Sequence, residues 1–272
     1  MCTMTSSGGS RPTHYREYIN KGLRALGYEL RKTDTRTSLA GVLAHAKKNG
    51  LAPRTVIDVG AAWGKWSRAC ANVFSDARYF MVEPLKECCA QLEVVAKELH
   101  NAQFVQTVVG KTEGAVTFHV HPDLEGSSIY LEDEDEVNGV PRELPCATLD
   151  TLRRAHALEP PFLLKLDVQG AELEVLRGGT EVLRDAEYVI LEVSLLATCR
   201  GAPAFDEVIT FMKAHGFVVY DVLGLLYRPL DRALCQIDIC FVKEESAFRR
   251  YHHYATREQR VIETRKIISR RS

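Results

Sequence analysis

The sequence predicts one α/β domain built on a mostly parallel, doubly wound sheet. Three observations predict it. β-branched apolar runs alternate with helical segments from residue 55 onward, the first run ends in a glycine-containing turn, and no internal repeat is visible. With 272 residues, 46% of them hydrophobic, the chain is long enough to bury one full core. A second full domain is not expected.

The first predicted strand and its turn lie in residues 55–66, TVIDVGAAWGKW. An acidic residue, Asp58, lies inside the strand, and Gly60 and Gly64 punctuate the turn before a predicted helix over 65–74. Glycine lets a backbone approach a ligand closely, so this corner predicts a site for a nucleoside-containing cofactor. The spacing D-x-G-x-x-x-G matches neither dinucleotide sites nor phosphate-binding loops, which favours S-adenosylmethionine.

The net charge of −1 conceals basic ends around an acidic middle. Residues 1–54 carry ten Lys and Arg against three Asp and Glu, residues 243–272 carry nine against four, and residues 55–242 carry sixteen against twenty-nine. Basic ends are typical of proteins that contact an anionic partner, and they are also typical of solvated terminal helices. Both interpretations stay open.

Eight cysteines show no C-x-x-C spacing, and no N-terminal apolar run resembles a signal peptide or a membrane span. Most of the thiols are expected to behave as small core side chains. The pattern therefore predicts a reduced, cytoplasmic protein with no membrane partner.

The segment before the first strand predicts a leader and two helices. Residues 1–13 have the Ser, Gly and Pro composition of a disordered leader. Within the helical region 14–54, apolar residues recur at helical spacing over 14–32, and a second helix starts at Ser38 and stops at Gly50. We expect these helices to cover the sheet or to form a homodimer contact.

The second predicted strand, 78–83, ends on an acid, Glu83, which lies 23 residues after Gly60. An acid at the end of the neighbouring parallel strand can accept hydrogen bonds from ribose hydroxyls, so Glu83 is predicted to bind the cofactor ribose. A helix over 85–99 and a strand over 103–109 continue the alternation.

The alternation then breaks at an insertion, residues 115–147. Its predicted parts are a strand over 115–121, a polar loop over 122–140 that holds Ser127 and Ser128, and a short strand over 142–147. Long insertions between core strands commonly form the elements that cover a substrate. The insertion is therefore predicted to face the molecule that accepts the transferred group. The run of five acids at 132–136 is interpreted as a solvated loop face, and a divalent metal stays an open question.

Beyond the insertion, a strand over 162–167 (FLLKLD), a helix over 173–183 and a strand over 187–193 are predicted. Ligands bind beyond the carboxyl ends of parallel strands. Four acids are therefore expected at one rim of the sheet: Asp58, Glu83, Asp167 and Glu192. A helix over 205–215 and strands over 217–223 and 236–242 complete the domain before a basic tail, 246–272.

The strings FLLKLDVQGAELEVLRGG, YVILEVS, PAFDEVITFMKAHGFVVYDV and QIDICFV, together with TVIDVGAAWGKWS, resemble the FkbM-type family of class I S-adenosylmethionine-dependent methyltransferases. The similarity covers about residues 38–245. It implies a Rossmann-like class I methyltransferase domain over 55–245, with a seven-stranded sheet in the order 3-2-1-4-5-7-6 and an antiparallel last strand.

The resemblance also implies an O-methyltransferase that acts on a hydroxyl of a small-molecule acceptor, a sugar or secondary metabolite, and releases S-adenosylhomocysteine. The residues expected to bind the cofactor are Asp58, Gly60, Ala61, Gly64, Glu83, Val109 and Asp167. The residues expected around the acceptor are His119, Ser127, Ser128, Gln169 and Glu172. Ala62 stands where the family often has Asn, which removes one expected polar contact to the cofactor.

Methyl transfer to an alcohol needs alignment and a group that accepts the hydroxyl proton. Asp167 is the base that the sequence favours, with Glu192 as a second catalytic candidate. His119 and His121 of the insertion are rivals, because imidazole titrates near neutral pH. Lys165 lies two residues before Asp167 and is interpreted as a buried side chain without a catalytic role.

Other functions remain alternatives. An RNA 2′-O-methyltransferase would use the same cofactor, but such enzymes typically carry a lysine between the Asp and Glu strands, and residues 168–191 contain none. A nucleic-acid acceptor is therefore not expected. Methyltransferases of base amino groups usually carry [ND]-P-P-[YF] where this chain reads D-V-Q-G. A cofactor-binding protein without catalysis would lose the acids near Asp167 and Glu192, and this chain keeps both.

Overall fold

A seven-stranded sheet and a three-stranded sheet carry the β structure of the computed structural model, which describes residues 22–23, 35–132, 137–196 and 198–269. The chain divides into two compact units, residues 1–35 and 36–272. The predicted leader, 1–13, and all of the predicted helix 14–32 except residues 22–23 lie outside the described residues.

The large sheet contains the strands that were predicted for the methyltransferase domain. Its strands are β1 (Thr55–Val59), β2 (Arg78–Val82), β3 (Ala102–Val105), β7 (Phe162–Leu166), β8 (Ala186–Ser194), β9 (Phe217–Tyr227) and β10 (Leu234–Lys243). Their spatial order is β3-β2-β1-β7-β8-β10-β9. The first five are parallel, and β10 runs antiparallel to β8 and β9. Numbered within this sheet alone, the order is 3-2-1-4-5-7-6, which confirms the predicted fold class.

The small sheet is formed by the insertion and the residues before it. It contains β4 (Val108–Val109), β5 (Gly114–Val120) and β6 (Val140–Ala147), in the order β4-β6-β5. β5 and β6 pair antiparallel, and β4 runs parallel to β6. β5 and β6 form the two-stranded unit of the insertion, and the pairing of β6 with β4 attaches this unit to the rest of the domain.

Helices connect the strands on both faces of the large sheet. They are α1 (Leu39–Lys48), α2 (Lys65–Ala71), α3 (Lys86–Glu98), α4 (Leu149–Ala155), α5 (Glu172–Arg177), α6 (Thr180–Asp185), α7 (Phe205–Ala214) and α8 (Arg257–Ser269). Ser38 caps α1 as the sequence predicts, because its hydroxyl accepts the N–H of Gly41. No helix in the described part of the chain has both the length and the apolar composition that a bilayer crossing requires.

The core lies on both faces of the central strands. Every residue of β1 and β7 is buried, as expected for parallel strands covered by helices on each side. Successive residues face opposite sides, so Val56 and Leu163 join the cluster that includes α1, whereas Ile57 and Leu164 join the cluster on the other face. The two central strands thus hold their carboxyl ends in fixed positions.

The predicted strand 103–109 is wrong as one element. β3 ends at Val105 opposite Val82, the last residue of β2, so the residues that follow have no partner in the large sheet. The chain turns at Thr107, whose hydroxyl donates to the carbonyl of Pro145 at 3.0 Å, and continues as β4 in the small sheet.

The predicted helix 173–183 is also wrong as one element, because it divides into α5 and α6 at Gly178 and Gly179. A Cβ on Gly178 would overlap the carbonyl oxygen of Gly110, and one on Gly179 would lie 2.8 Å from the Leu149 side chain. The glycines allow this close packing and weaken the helix at the same time.

Candidate active site

A cleft of about 320 Å³ lies at the carboxyl ends of β1, β2, β7 and β8. Its walls come from the turn after β1, the end of β2, the insertion and the turn after β7. This is the edge of an open α/β sheet at which ligands bind.

The turn after β1 depends on two glycines with positive φ. Gly60 has a φ of 77°, and a Cβ there would overlap the main-chain carbonyl of Asp167. Gly64 has a φ of 71° and precedes α2, and a Cβ there would lie 2.8 Å from the side chain of Val95. Both positions therefore need glycine for packing inside the protein, and Gly60 brings the turn against the end of β7.

Glu83 follows β2 and joins the turn after β1 to the segment after β2 through hydrogen bonds. Its carboxylate accepts the N–H of Ala62 at 2.9 Å and the N–H of Leu85 at 3.0 Å. Burial raises the pKa of Glu83, and these two hydrogen bonds oppose that shift. Ala62 has a φ of 44°, so Glu83 also stabilises a residue in the left-handed region.

A buried ion-pair network connects β1 with β7. Asp58 is fully buried, and its Oδ2 accepts the hydroxyl of Ser67 at 2.6 Å. The Lys165 Nζ lies 3.5 Å from Asp58 Oδ1 and 3.1 Å from Asp167 Oδ2. Burial raises the pKa of Asp58, and the ammonium and the Ser67 hydroxyl oppose the shift. Asp167 and Lys165 line the cleft, whereas Asp58 lies behind it.

Two carboxyl groups, one from the turn after β7 and one from β8, accept hydrogen bonds from one side-chain amide. The Gln169 Nε2 donates to Asp167 Oδ1 at 3.1 Å and to Glu192 Oε2 at 2.9 Å, and the Gln236 Nε2 donates to the same Glu192 oxygen at 3.1 Å. Burial first, and then the charges of Asp167 and Glu172, raise the pKa of Glu192 to about 9. These surroundings favour the protonated form of Glu192.

The turn after β7 places the Gln169 amide between Asp167 and Glu192. Gln169 has a φ of 51°, and the Glu172 Oε1 accepts the N–H groups of Val168 at 3.1 Å and Gly170 at 3.3 Å. Glu172 is 2% exposed, and its burial raises its pKa to about 7. Glu172 supports the turn from behind and does not line the cleft.

The insertion reaches the same turn through a serine. The Ser128 hydroxyl donates to the carbonyl of Gln169 at 2.8 Å and accepts the N–H of Tyr130 at 3.1 Å. Ser128 and His119 also exchange main-chain hydrogen bonds. The His121 Nε2 lies 3.4 Å from Glu132 Oε1. Residues 133–136 of the acidic run lie outside the described residues.

The structure brings most of the predicted residues to the cleft. Those that line it are Gly60, Ala61, Glu83, Val109, Ser127, Asp167, Gln169 and Glu192. Those that lie behind or beside it are Asp58, Gly64, His119, His121, Ser128 and Glu172. In the ranges that the structure describes, no three His, Cys, Asp or Glu residues are arranged to hold a metal ion.

The sequence did not predict roles for Lys165 and Gln236, which contact the predicted acids. For Lys165, the sequence itself contained a sign of a buried ion pair. A lysine inside the apolar strand FLLKL needs a buried acid, and its register partner in β1 is Asp58. For Gln236 the signal was weaker, because its contact with Glu192 depends on the register of an antiparallel pair.

This strand order, with a glycine turn and an acid-lined cleft at the carboxyl ends of the strands, defines a class I methyltransferase fold. A family model described as "Methyltransferase FkbM domain" matches residues 58–219, more than half of the chain. The chain belongs to the FkbM methyltransferase family, whose members depend on S-adenosylmethionine.

A curated relative and several solved structures are similar to this chain. "Methyltransferase 1" of Beauveria bassiana (strain ARSEF 2860) is 24% identical over 184 residues, which cover 60% of this chain and 72% of the relative. Magnesium protoporphyrin IX methyltransferase from Synechocystis PCC 6803, with bound S-adenosylmethionine, is 12% identical with a TM-score of 0.43 and covers 88% of this chain and 100% of its own. Aeropyrum pernix fibrillarin, with natively bound S-adenosyl-L-methionine, is 16% identical with a TM-score of 0.42 and covers 74% and 73%.

Proposed function

We propose that this chain transfers the methyl group of S-adenosylmethionine to a hydroxyl of a small-molecule acceptor, a sugar or a secondary metabolite. The observation that carries the proposal is the pair of carboxyl groups at the acidic end of the cleft. Asp167 and Glu192 accept hydrogen bonds from the same Gln169 amide and differ in their surroundings. Such a pair suits a site that accepts one proton beside a cationic cofactor.

The residues around the cleft fit S-adenosylmethionine. Glu83 uses one lone pair on each oxygen for main-chain N–H groups, so acceptor capacity remains for two ribose hydroxyls. Leu85, Val108 and Phe118 are buried and supply an apolar wall for the adenine ring. Asp167 supplies negative charge for the sulfonium end. When bound, the cofactor supplies an electrophilic methyl group.

Asp167 is the residue that we assign as the proton acceptor. Its side chain is 32% exposed and lines the cleft, and contacts with Lys165 and Gln169 fix its carboxylate. A hydroxyl becomes acidic only as its oxygen bonds to carbon, so a carboxylate is basic enough when it is well placed. The surroundings of Glu192 favour its protonated form, which would donate a hydrogen bond. His121 does not line the cleft and is the weaker candidate.

Aromatic residues support a sugar-like acceptor. The chain has two tryptophans, Trp63 and Trp66, and both line the cleft. Both side chains are half-buried, so their rings have both protein and solvent contact. An indole ring offers a flat apolar face with a polar N–H, which suits the apolar face and the hydroxyls of a sugar ring.

A labelled methyl donor tests this function. The protein is incubated with S-adenosylmethionine carrying a ¹³C-methyl group and with panels of sugars, phenols and amines, and the products are followed by carbon NMR. We expect methyl signals in the range of O-methyl ethers, absent when Asp167→Asn replaces the wild-type protein. Signals of N-methyl or C-methyl groups would contradict the proposed acceptor class.

A further inference from the structure

A buried lysine lies next to the residue that we assign as the base. Lys165 is 7% exposed in a strand whose other residues, FLL and L, are apolar. An ammonium group at such a position is strongly unfavourable without charged partners. The partners of Lys165 therefore indicate what the side chain does.

Three groups from different parts of the site surround the ammonium. The Lys165 Nζ lies 3.5 Å from Asp58 Oδ1, 3.1 Å from Asp167 Oδ2 and 3.5 Å from the carbonyl oxygen of Gly60. It also lies 5.8 Å from the centre of the Trp66 ring. Lys165 thus connects strand β1, the glycine turn and the end of β7 through a single charge.

The ammonium remains charged in these surroundings. Burial alone would lower the pKa of Lys165, but the nearby charges of Asp58 and Asp167 outweigh burial and raise it. Asp58 would be enough to neutralise one buried lysine. The second carboxylate, Asp167, lies in the cleft with 32% of its side chain exposed, so this contact extends from the core into the site.

The neighbouring acids have different surroundings. Two amides, from Gln169 and Gln236, donate to Glu192, and its pKa is raised to about 9. Asp238 is the register partner of Glu192 on β10, and burial first, then the charge of Asp167, raises its pKa to about 6. Asp167 contacts the ammonium directly, whereas Glu192 and Asp238 do not, so these three acids differ in their charged neighbours.

We infer that Lys165 is a positioning residue of the active site, whose ammonium holds the Asp167 carboxylate in place at the cleft and so assigns proton acceptance to Asp167 and not to Glu192. This inference rests on the proposed function, in which Asp167 is the base. The charged and titratable groups around the Lys165–Asp167 pair are Asp58 on β1, Glu83 after β2, Glu172 on α5, Glu192 on β8 and Asp238 on β10.

Carbon NMR of the carboxyl groups tests this role without an acceptor. The full-length protein is labelled with ¹³C at the aspartate carboxyl carbon, and Asp167→Asn identifies the Asp167 signal by its loss. Lys165→Met keeps the length of the side chain and removes its charge. We expect the pH midpoint of the Asp167 signal to rise by about 1–3 units, since a cation in contact with a carboxylate lowers the midpoint by that amount. Lys165→Arg should keep the wild-type midpoint.

A matched control and a second variant complete the test. Lys65 also lines the cleft but is 78% exposed at its side chain, so Lys65→Met should leave the Asp167 midpoint within about 0.3 units. If Lys165→Met unfolds because Asp58 loses its partner, the double variant Asp58→Asn and Lys165→Met is compared with Asp58→Asn alone, and its Asp167 midpoint should lie above that of the single variant.

Two results distinguish this inference from the proposed function. An unchanged Asp167 midpoint in folded Lys165→Met, or in the double variant compared with Asp58→Asn alone, would overturn the role of Lys165 and leave Asp167 as a candidate base. Full turnover by Asp167→Asn in the ¹³C-methyl assay would overturn the proposed base, and with it the purpose that we assign to Lys165. Tighter or equal binding of S-adenosylhomocysteine to Lys165→Met in calorimetry would confirm that the cleft is intact in that variant.

Discussion

The two sides of the cleft are built by different means. On the turn side, the glycine turn 60–64 and Glu83 are held by main-chain groups, because Glu83 accepts the N–H groups of Ala62 and Leu85. On the acid side, side chains from β7, β8 and β10 contact one another through amides and one ammonium. One side is organised by sterics and main-chain hydrogen bonds, and the other by charge.

This difference determines how each side can be damaged. The turn side has no room for added atoms, since a Cβ on Gly60 would overlap Asp167. The acid side has groups whose protonation depends on their neighbours, so the loss of one charge changes the others. Atoms added on the turn side should therefore lower stability and weaken cofactor binding. Charges removed from the acid side should instead lower turnover.

The largest expected effect is on the acid side. Asp167→Asn keeps the shape of the side chain and removes its charge. If Asp167 accepts the acceptor proton, turnover should fall by roughly 10²–10⁴-fold while the affinity for S-adenosylmethionine changes much less, because a base acts mainly in the transition state. Steady-state kinetics with the acceptor from the labelling screen and calorimetry with the cofactor measure the two quantities.

His121→Gln is the companion to this variant. The His121 imidazole lies beside Glu132 and outside the cleft lining, so we expect turnover within about threefold of wild type. A large loss in His121→Gln together with a nearly silent Asp167→Asn would move the base to the insertion. Small effects in both would mean that proximity and orientation supply most of the rate.

The second-largest effect is expected on the turn side, when a substitution adds one carbon atom. Gly60→Ala should lower the free energy of unfolding by about 2–4 kcal/mol, because alanine is strained at a φ of 77° and its Cβ would overlap the Asp167 carbonyl. Gly216 has a φ of 80° and open space around its Cβ position, so Gly216→Ala should show only the backbone part, about 1–2 kcal/mol. Urea denaturation of both variants gives the difference, and equal losses would refute the steric argument.

The turn side was also the part that the sequence predicted best. The glycine turn and Glu83 lie at the ends of short apolar runs, so their place at one rim follows from local patterns. The strand order followed from the resemblance to a family. The break of strand 103–109 could not be predicted from its own residues, because it depends on β2 ending opposite Val105.

The acid side was predicted only as a set of acids. Asp167, Gln169 and Glu192 were expected near the cleft, but their bonding depends on which strands are neighbours and in which register. Gln236 reaches Glu192 only because β10 runs antiparallel to β8. The contact of Lys165 with Asp167 depends equally on the depth of burial of β7, so periodicity alone does not reveal it.

A smaller effect is expected when a polar group is removed from the turn side. Glu83→Ala should weaken S-adenosylmethionine binding by about 1–3 kcal/mol in calorimetry, because ribose hydroxyls lose a charged acceptor. Glu125 also lines the cleft, with 58% of its side chain exposed, so Glu125→Ala should change the affinity by less than about 1 kcal/mol. Equal affinities for the wild type and Glu83→Ala would exclude Glu83 from the ribose role.

The smallest expected effect concerns the link between the insertion and the acid side. Ser128 is 3% exposed, and its hydroxyl donates to the carbonyl of Gln169, a residue with positive φ. Ser128→Ala should lower the free energy of unfolding by about 1–2 kcal/mol, the range for one buried hydrogen bond whose partner stays in place. It should also lower turnover by less than about tenfold, since Gln169 keeps its contacts with Asp167 and Glu192.

Ser127→Ala provides the matched comparison for Ser128→Ala. The Ser127 side chain is also buried and lines the cleft, but its hydroxyl accepts the N–H of His121, so its hydrogen bond lies within the insertion. We expect a similar loss of stability from Ser127→Ala in urea denaturation, with turnover closer to wild type. If the two variants lower turnover equally, the link from Ser128 to Gln169 does not position the acid side, and the insertion acts on catalysis only by covering the cleft.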